Sequence, residues 1–302
     1  MQRLIYCGIV CLGTALTIVS ALAVPAARGD FTFSPEPGVT VKVKRSDDSH
    51  LTVRFLPDGA TQQIPEPAAD PSNGESFDGK DYSFDGYKDL AIVNAVGMVN
   101  EAYSIWLYHK DKKRFEKLSI SGQQLSTCGS LMGVELRSKE HVLLSTCRSG
   151  PTWYTDAYRY ADGHRLYLYG TTSGLVDTLA SKLCPGNASD DSLTMFGVRF
   201  DANGRPVAQA CEPYQNWRDI DADSRVRFKV PIARLALYDS RDGKPAQRYL
   251  VRGDTVDVLG VSSDGGSWIQ IRFQNPHRGT IIGWIRLEDF ERPDEAPAGS
   301  QR

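Results

Sequence analysis

From Val39 onward the chain runs in short blocks in which apolar and polar residues take turns. Val39 to Val43 reads Val-Thr-Val-Lys-Val and Leu51 to Phe55 reads Leu-Thr-Val-Arg-Phe, each with its apolar residues on one side of a pleat. Further short strand-like blocks fall at Leu90 to Val93, Ser104 to Tyr108, Val134 to Arg137, His141 to Ser145, Asp156 to Tyr160 and Leu166 to Tyr169. They are rich in β-branched and aromatic residues and are broken by Gly, Pro, Asp or Asn, as strands are. Asp162-Gly163 and Asn203-Gly204 lie between apolar runs as hairpin turns. A helical period is confined to Leu175 to Leu183, and the proline-rich stretch from Asp58 to Asn73 reads as a long loop. The pattern predicts a mainly β, antiparallel fold.

The N-terminus has a different texture. After Arg3 an uncharged apolar run extends to about Val24 and ends near Ala21-Leu22-Ala23, the small residues a signal peptidase accepts. Residues 1 to 23 read as a signal peptide, with Ala27-Arg28-Gly29 as an alternative cut and an uncleaved anchor as the competing interpretation. Export to the periplasm or beyond implies an oxidising compartment and no permanent membrane anchor. Cys7 and Cys11 leave with the leader, so four cysteines remain. The local text favours pairing neighbours, Cys128 with Cys147 and Cys184 with Cys211. No Cys-x-x-Cys pair occurs and the five histidines stand singly, which speaks against a metal-thiolate cluster.

Charge adds a boundary. The 302 residues carry a formal net charge of -2, too little positive charge for a nucleic-acid binder. Residues 30 to 224 hold 27 acidic against 20 basic side chains, whereas residues 225 to 292 hold 8 against 12. The sign change, with the polar run Asp219 to Ser224, marks a β domain over residues 30 to 218, a linker over 219 to 228, a second domain over 229 to 292 and a disordered tail over 293 to 302.

Candidate chemistry concentrates in Asp81-Tyr82-Ser83-Phe84-Asp85-Gly86-Tyr87-Lys88-Asp89. Oxygen-bearing side chains at positions one, three, five and nine, with Gly at six to reverse the chain, suit a hard cation. Asp81, Ser83, Asp85, Asp89 and the Tyr87 carbonyl would surround a structural calcium ion, with Asp78 or Glu101 able to approach. The alternative is a solvated acidic turn. No Gly-x-Ser-x-Gly elbow, His-Glu-x-x-His pair or phosphate-cradling glycine loop occurs, so the plainest expectation is a binding protein rather than an enzyme.

Two resemblances sharpen that expectation. Residues Ala236 to Phe290, with Tyr249-Leu250-Val251-Arg252-Gly253-Asp254, Trp268-Ile269-Gln270-Ile271 and Gly283-Trp284-Ile285-Arg286, resemble bacterial SH3-like domains. The resemblance implies a small barrel that binds wall or protein, with Trp268 and Trp284 either in its core or exposed as a glycan platform. The acidic loop, continued through Tyr103-Ser104-Ile105-Trp106-Leu107-Tyr108, resembles exported calcium-loop immunity proteins of type IV secretion, which look like periplasmic lysozyme inhibitors in fold. That resemblance covers roughly residues 78 to 170. It implies inhibition of a lysozyme-like cell-wall hydrolase by an inserted loop, for which Ser149, Gly150, Trp153 and Tyr154 are the nearest match; peptidoglycan itself is the other partner implied.

Overall fold

The computed structural model describes residues 30–67, 74–122, 125–150, 152–161, 165–175, 177–184, 194–212, 220, 223–241, 243, 245–262 and 267–290. The leader, the Asp162-Gly163 turn and the tail expected over 293 to 302 lie outside them. What is described is mainly β, as the alternation predicts.

Four sheets follow one another along the chain. The first contains β1 (Phe31–Phe33), β2 (Thr40–Asp47), β3 (His50–Leu56) and β4 (Thr61–Pro65) in sequence order. The second contains β5 (Glu75–Asp78), β6 (Leu90–Val96), β7 (Asn100–His109) and β8 (Arg114–Lys117). The third is built from β9 (Ile120–Ser121), β10 (Val134–Arg137), β11 (Val142–Ser149), β12 (Thr152–Ala161), β13 (Arg165–Gly174), β14 (Met195–Phe200) and β15 (Pro206–Glu212). Among the described residues its only parallel pairing sets β9 beside β13. The helix α1 (Asp177–Leu183) falls inside the segment with the helical period.

β6 explains the layering. Leu90 and Ile92 pack with Val41, Val43, Leu51, Val53 and Ile64 of the first sheet, whereas Ala91 and Val93 join Leu143, Tyr158 and Leu166 of the third. A strand buried on both faces needs apolar residues in succession, which is why Leu-Ala-Ile-Val carries no alternation. The proline-rich stretch differs from expectation, because Thr61–Pro65 forms β4 rather than loop. Ile64 is buried, and the Gln62 carboxamide both donates to the Phe115 carbonyl (2.7 Å) and accepts its N–H (2.9 Å). The ladder to β3 makes this polar segment an edge strand, Gln62 ties it to β8, and Pro65 sits at its end, where no ladder donor is required.

The fourth sheet contains β16 (Arg227–Lys229), β17 (Arg234–Tyr238), β18 (Pro245–Val251), β19 (Thr255–Val261), β20 (Trp268–Asn275) and β21 (Gly279–Arg286), in the order β16-β19-β20-β21-β17-β18. The implied small barrel is not closed: among the described residues β16 and β18 end the strand path without pairing to each other. Its apolar face, with Leu235, Val256, Val258, Ile269, Ile271 and Ile285, is continuous with the core of the third sheet. The stretch expected as a linker is bonded to both sheets from Ser224 on. Gln209 N donates to Ser224 O (3.0 Å), and Val258 N donates to Val226 O (2.8 Å).

Candidate functional site

The acidic loop joins β5 to β6 and is organised by its own backbone. Asp81 accepts N–H bonds from Asp85 (3.1 Å) and Gly86 (3.0 Å), and the Ser83 hydroxyl donates to it at 3.4 Å. Asp85 accepts the Tyr87 N–H at 2.9 Å. Gly86 has a φ of 90°, the left-handed turn expected of position six. Phe84 also lies in the left-handed region (φ 59°), which costs a side-chain-bearing residue strain. Its ring is stacked on His141 (5.4 Å) and meets Tyr160 edge-on (6.2 Å), contacts that offset the strain and fasten the loop to the third sheet.

Asp89 is the anchor of this loop. Fully buried, it accepts N–H bonds from Tyr82 (2.8 Å) and Ser83 (2.9 Å) through one oxygen and from Tyr108 (2.8 Å) through the other. Burial pushes its carboxyl up to about 7; the N–H donors of Tyr108 and Ser83 oppose that rise and Asp85 adds to it. Asp78 pairs with Lys80 (2.7 Å) and accepts the Tyr82 hydroxyl (3.0 Å), while Glu101 accepts that of Tyr103 (3.4 Å). The five expected ligands therefore share one turn, but their carboxylates face amides. Among the described residues no three acidic, His or Cys side chains gather in a metal-holding group.

A second buried carboxylate was not singled out by its sequence context. Asp156 on β12 is fully buried and accepts the N–H groups of Thr127 (3.1 Å) and Cys128 (2.9 Å) together with the Thr171 hydroxyl. Burial raises its pKa, against the pull of those three donors. Cys128 is thereby positioned for its disulfide with Cys147, and Cys184 is joined to Cys211; both pairings match the expectation.

The residues expected to contact a partner are brought together at the β11–β12 hairpin. Gly150 turns it with a φ of 60°, Ser149 is exposed, and Trp153 is 40% exposed beside half-buried Tyr154. Arg148 donates through Nε to the Gly150 carbonyl (3.0 Å) and lies 5.7 Å over the Trp153 ring. A second tip, the β6–β7 turn, stands beside the first. Met98 is 99% exposed there, flanked by exposed Val96 and Val99. Asn100 clamps the two tips, donating to the Arg148 carbonyl (3.1 Å) and accepting its N–H (2.8 Å). Below the clamp, Leu131 to Gly133 bridges β7 to β11: Tyr103 N donates to Leu131 O, Gly133 N to Glu101 O and Thr146 N to Met132 O, all at 2.7 to 2.9 Å.

No protein-family model matches this chain, and no curated protein or solved structure resembles it closely enough to count as a relative. The geometry therefore carries the functional reading. The second tip went unread in the sequence, although Val96-Gly97-Met98-Val99 holds a signal: a glycine turn flanked by apolar rather than polar residues. In the C-terminal sheet, Trp268 and Trp284 are half-buried on the face opposite Ile269 and Ile285, so neither belongs to the apolar core. Trp268 meets Tyr238 edge-on at 5.0 Å under the Arg286 guanidinium (4.8 Å), and Arg241 lies 5.5 Å over Trp284.

Proposed function

We propose that this chain is an exported, non-catalytic binding protein whose two hairpin tips dock on a lysozyme-like cell-wall hydrolase and obstruct its cleft. The observation that carries this reading is the apolar pair Met98 and Trp153, exposed on neighbouring hairpins that Asn100 holds in register. Trp and Arg dominate interface energetics, and a surface already ordered before contact loses little entropy on binding. A glycoside hydrolase keeps a carboxylate pair at the floor of its cleft, so Arg148, oriented by Gly150 O and the Trp153 ring, is complementary in charge. Two disulfides suit an oxidising compartment, and no helix among the described residues is long and apolar enough to cross a membrane.

The test is inhibition of a panel of lysozyme-like enzymes by the mature chain. Inhibition of at least one enzyme, lost on Arg148→Glu or Met98→Asp, supports the proposal; a panel left fully active removes it. Peptidoglycan binding through the C-terminal sheet is the second reading, favoured by the outward-facing Trp268 and Trp284. Co-sedimentation of the mature chain with insoluble peptidoglycan, abolished by Trp284→Ala, would support it, and failure to sediment would sink it.

A further inference from the structure

On the face of the third sheet turned away from the core, three arginines surround two tyrosines. Tyr158, Leu166, Leu168 and Val198 belong to the core, so alternation sets Arg159 of β12, Arg165, Tyr167 and Tyr169 of β13, and Arg199 of β14 on the opposite face. Arg159 stands directly across from Tyr167. Its guanidinium lies 3.9 Å over the Tyr169 ring, and that of Arg199 lies 5.3 Å from the same ring, where the π-faces hold the two cations in place. The Tyr167 hydroxyl stands among the same charges: burial pushes its pKa up, Tyr169 and Asp201 add to the rise, and Arg159 and Arg199 oppose it.

Among the described residues none of these arginines is in an ion pair. Arg165 donates to the Ser121 hydroxyl (3.0 Å) and the Ala202 carbonyl (2.9 Å), and Arg199 donates to the Ile220 carbonyl (2.8 Å). Arg159 makes no side-chain hydrogen bond: its Nε is shut from solvent and unmet, while its two NH₂ groups open outward, as does the unpartnered Tyr167 hydroxyl. Asp201 is turned to its own hairpin, accepting the N–H groups of Asn203 and Arg205 (both 2.9 Å). A guanidinium cannot shed its proton, so two of them at one ring repel until an anion arrives from outside. The waiting donors, on Arg159, Tyr167 and Arg199, come from three adjacent strands. A planar carboxylate offers two oxygens, whereas a phosphate monoester offers three, with roughly two negative charges, and can accept from all three strands at once. We infer that this face binds a phosphate monoester, with Arg159 and Arg199 on two of its oxygens and the Tyr167 hydroxyl donating to the third. The site does not include the hairpin tips and does not rest on the hydrolase reading. Such a group can be carried by a soluble ester or by a lipid headgroup, and the chemistry recognised is the same.

The experiment titrates the isotope-labelled mature chain with inorganic phosphate, glycerol 3-phosphate and acetate at matched ionic strength, following the Nε–H resonances of Arg159 and Arg199 by NMR. We expect saturable shifts with both phosphates and far weaker binding of acetate. Arg159→Met keeps an apolar chain on Tyr169 and should lower the affinity for glycerol 3-phosphate about tenfold or more, read at Arg199. The variant removes an unmet donor and a like charge, so its melting temperature should be unchanged or raised. Tyr167→Phe, a second variant, leaves the ring packing intact and should weaken the same ligand about tenfold. Sedimentation with vesicles of equal parts phosphatidylcholine and phosphatidic acid, but not with phosphatidylcholine alone, assigns the group to a lipid; a chain that binds glycerol 3-phosphate yet stays in the supernatant assigns it to a soluble ester. The inference is overturned if neither phosphate moves those resonances, if acetate binds as tightly as phosphate does, or if both variants bind as the parent does.

Discussion

Asp156→Ala is the substitution that most directly tests how the central sheet is held. It deletes the side-chain acceptor shown for the Thr127 and Cys128 N–H groups, which then lie half-buried without that partner. Each such loss costs about 1–3 kcal/mol. The Thr171 hydroxyl keeps Thr127 Oγ1 at 2.9 Å and adds little. Burial disfavours the Asp156 charge, so its removal also brings relief and the net loss should fall near the lower half of the summed range, about 3 kcal/mol. Asp156→Asn retains one acceptor and should lose about half as much. Urea unfolding at pH 7 measures both, and the corresponding fall in melting temperature is roughly 6–12 °C for Ala at about 2–4 °C per kcal/mol. Amide exchange supplies the local readout: Thr127 and Cys128 should exchange faster in both variants. A loss below about 0.5 kcal/mol for Ala, the size of an ordinary surface substitution, would refute the argument.

Further outcomes follow from the same geometry. Asp89 holds its proton more tightly folded than unfolded, so the stability it contributes is complete below pH 3.8 and is lost as pH rises through about 7. At 1.36 kcal/mol per pH unit the upper bound is about 4 kcal/mol, and a urea midpoint that falls from pH 4 to 8 in the parent but less steeply in Asp89→Asn is the expected result. Because the acidic loop's carboxylates face amides, exchanging EDTA for millimolar calcium should leave the melting temperature within about 1 °C; a site filled at a hundred times its Kd would instead add about 2.7 kcal/mol, a rise of roughly 5 °C or more. Gly133 has a φ of 45°, and a Cβ there would meet the Thr146 carbonyl oxygen at 2.7 Å. Gly133→Ala should therefore cost about 1–3 kcal/mol by thermal unfolding and loosen the bridge beneath the hairpin tips.

Much of this molecule is written locally. Alternation along Val39 to Val43 and Leu51 to Phe55 marks strands without any knowledge of their neighbours, because the pleat alternates sides whatever it packs against. The cysteine pairs could be read from near-identical segments and intervening hairpins, and Gly86 was evident as a turn because few other residues accept its backbone angle. Folding decided the rest. Thr61–Pro65 became a strand by pairing with β3, and the Gln62 carboxamide fastens it to Phe115, 53 residues away. Spacing placed Asp81, Asp85 and Asp89 together, but only packing turned Asp89 onto the amide of Tyr108. The hairpin tips likewise depend on segments far apart in the chain meeting side by side. A residue's propensity is carried by its own chemistry, whereas the direction of a carboxylate or the partner of a buried amide is set by whichever distant backbone the core brings within hydrogen-bond reach.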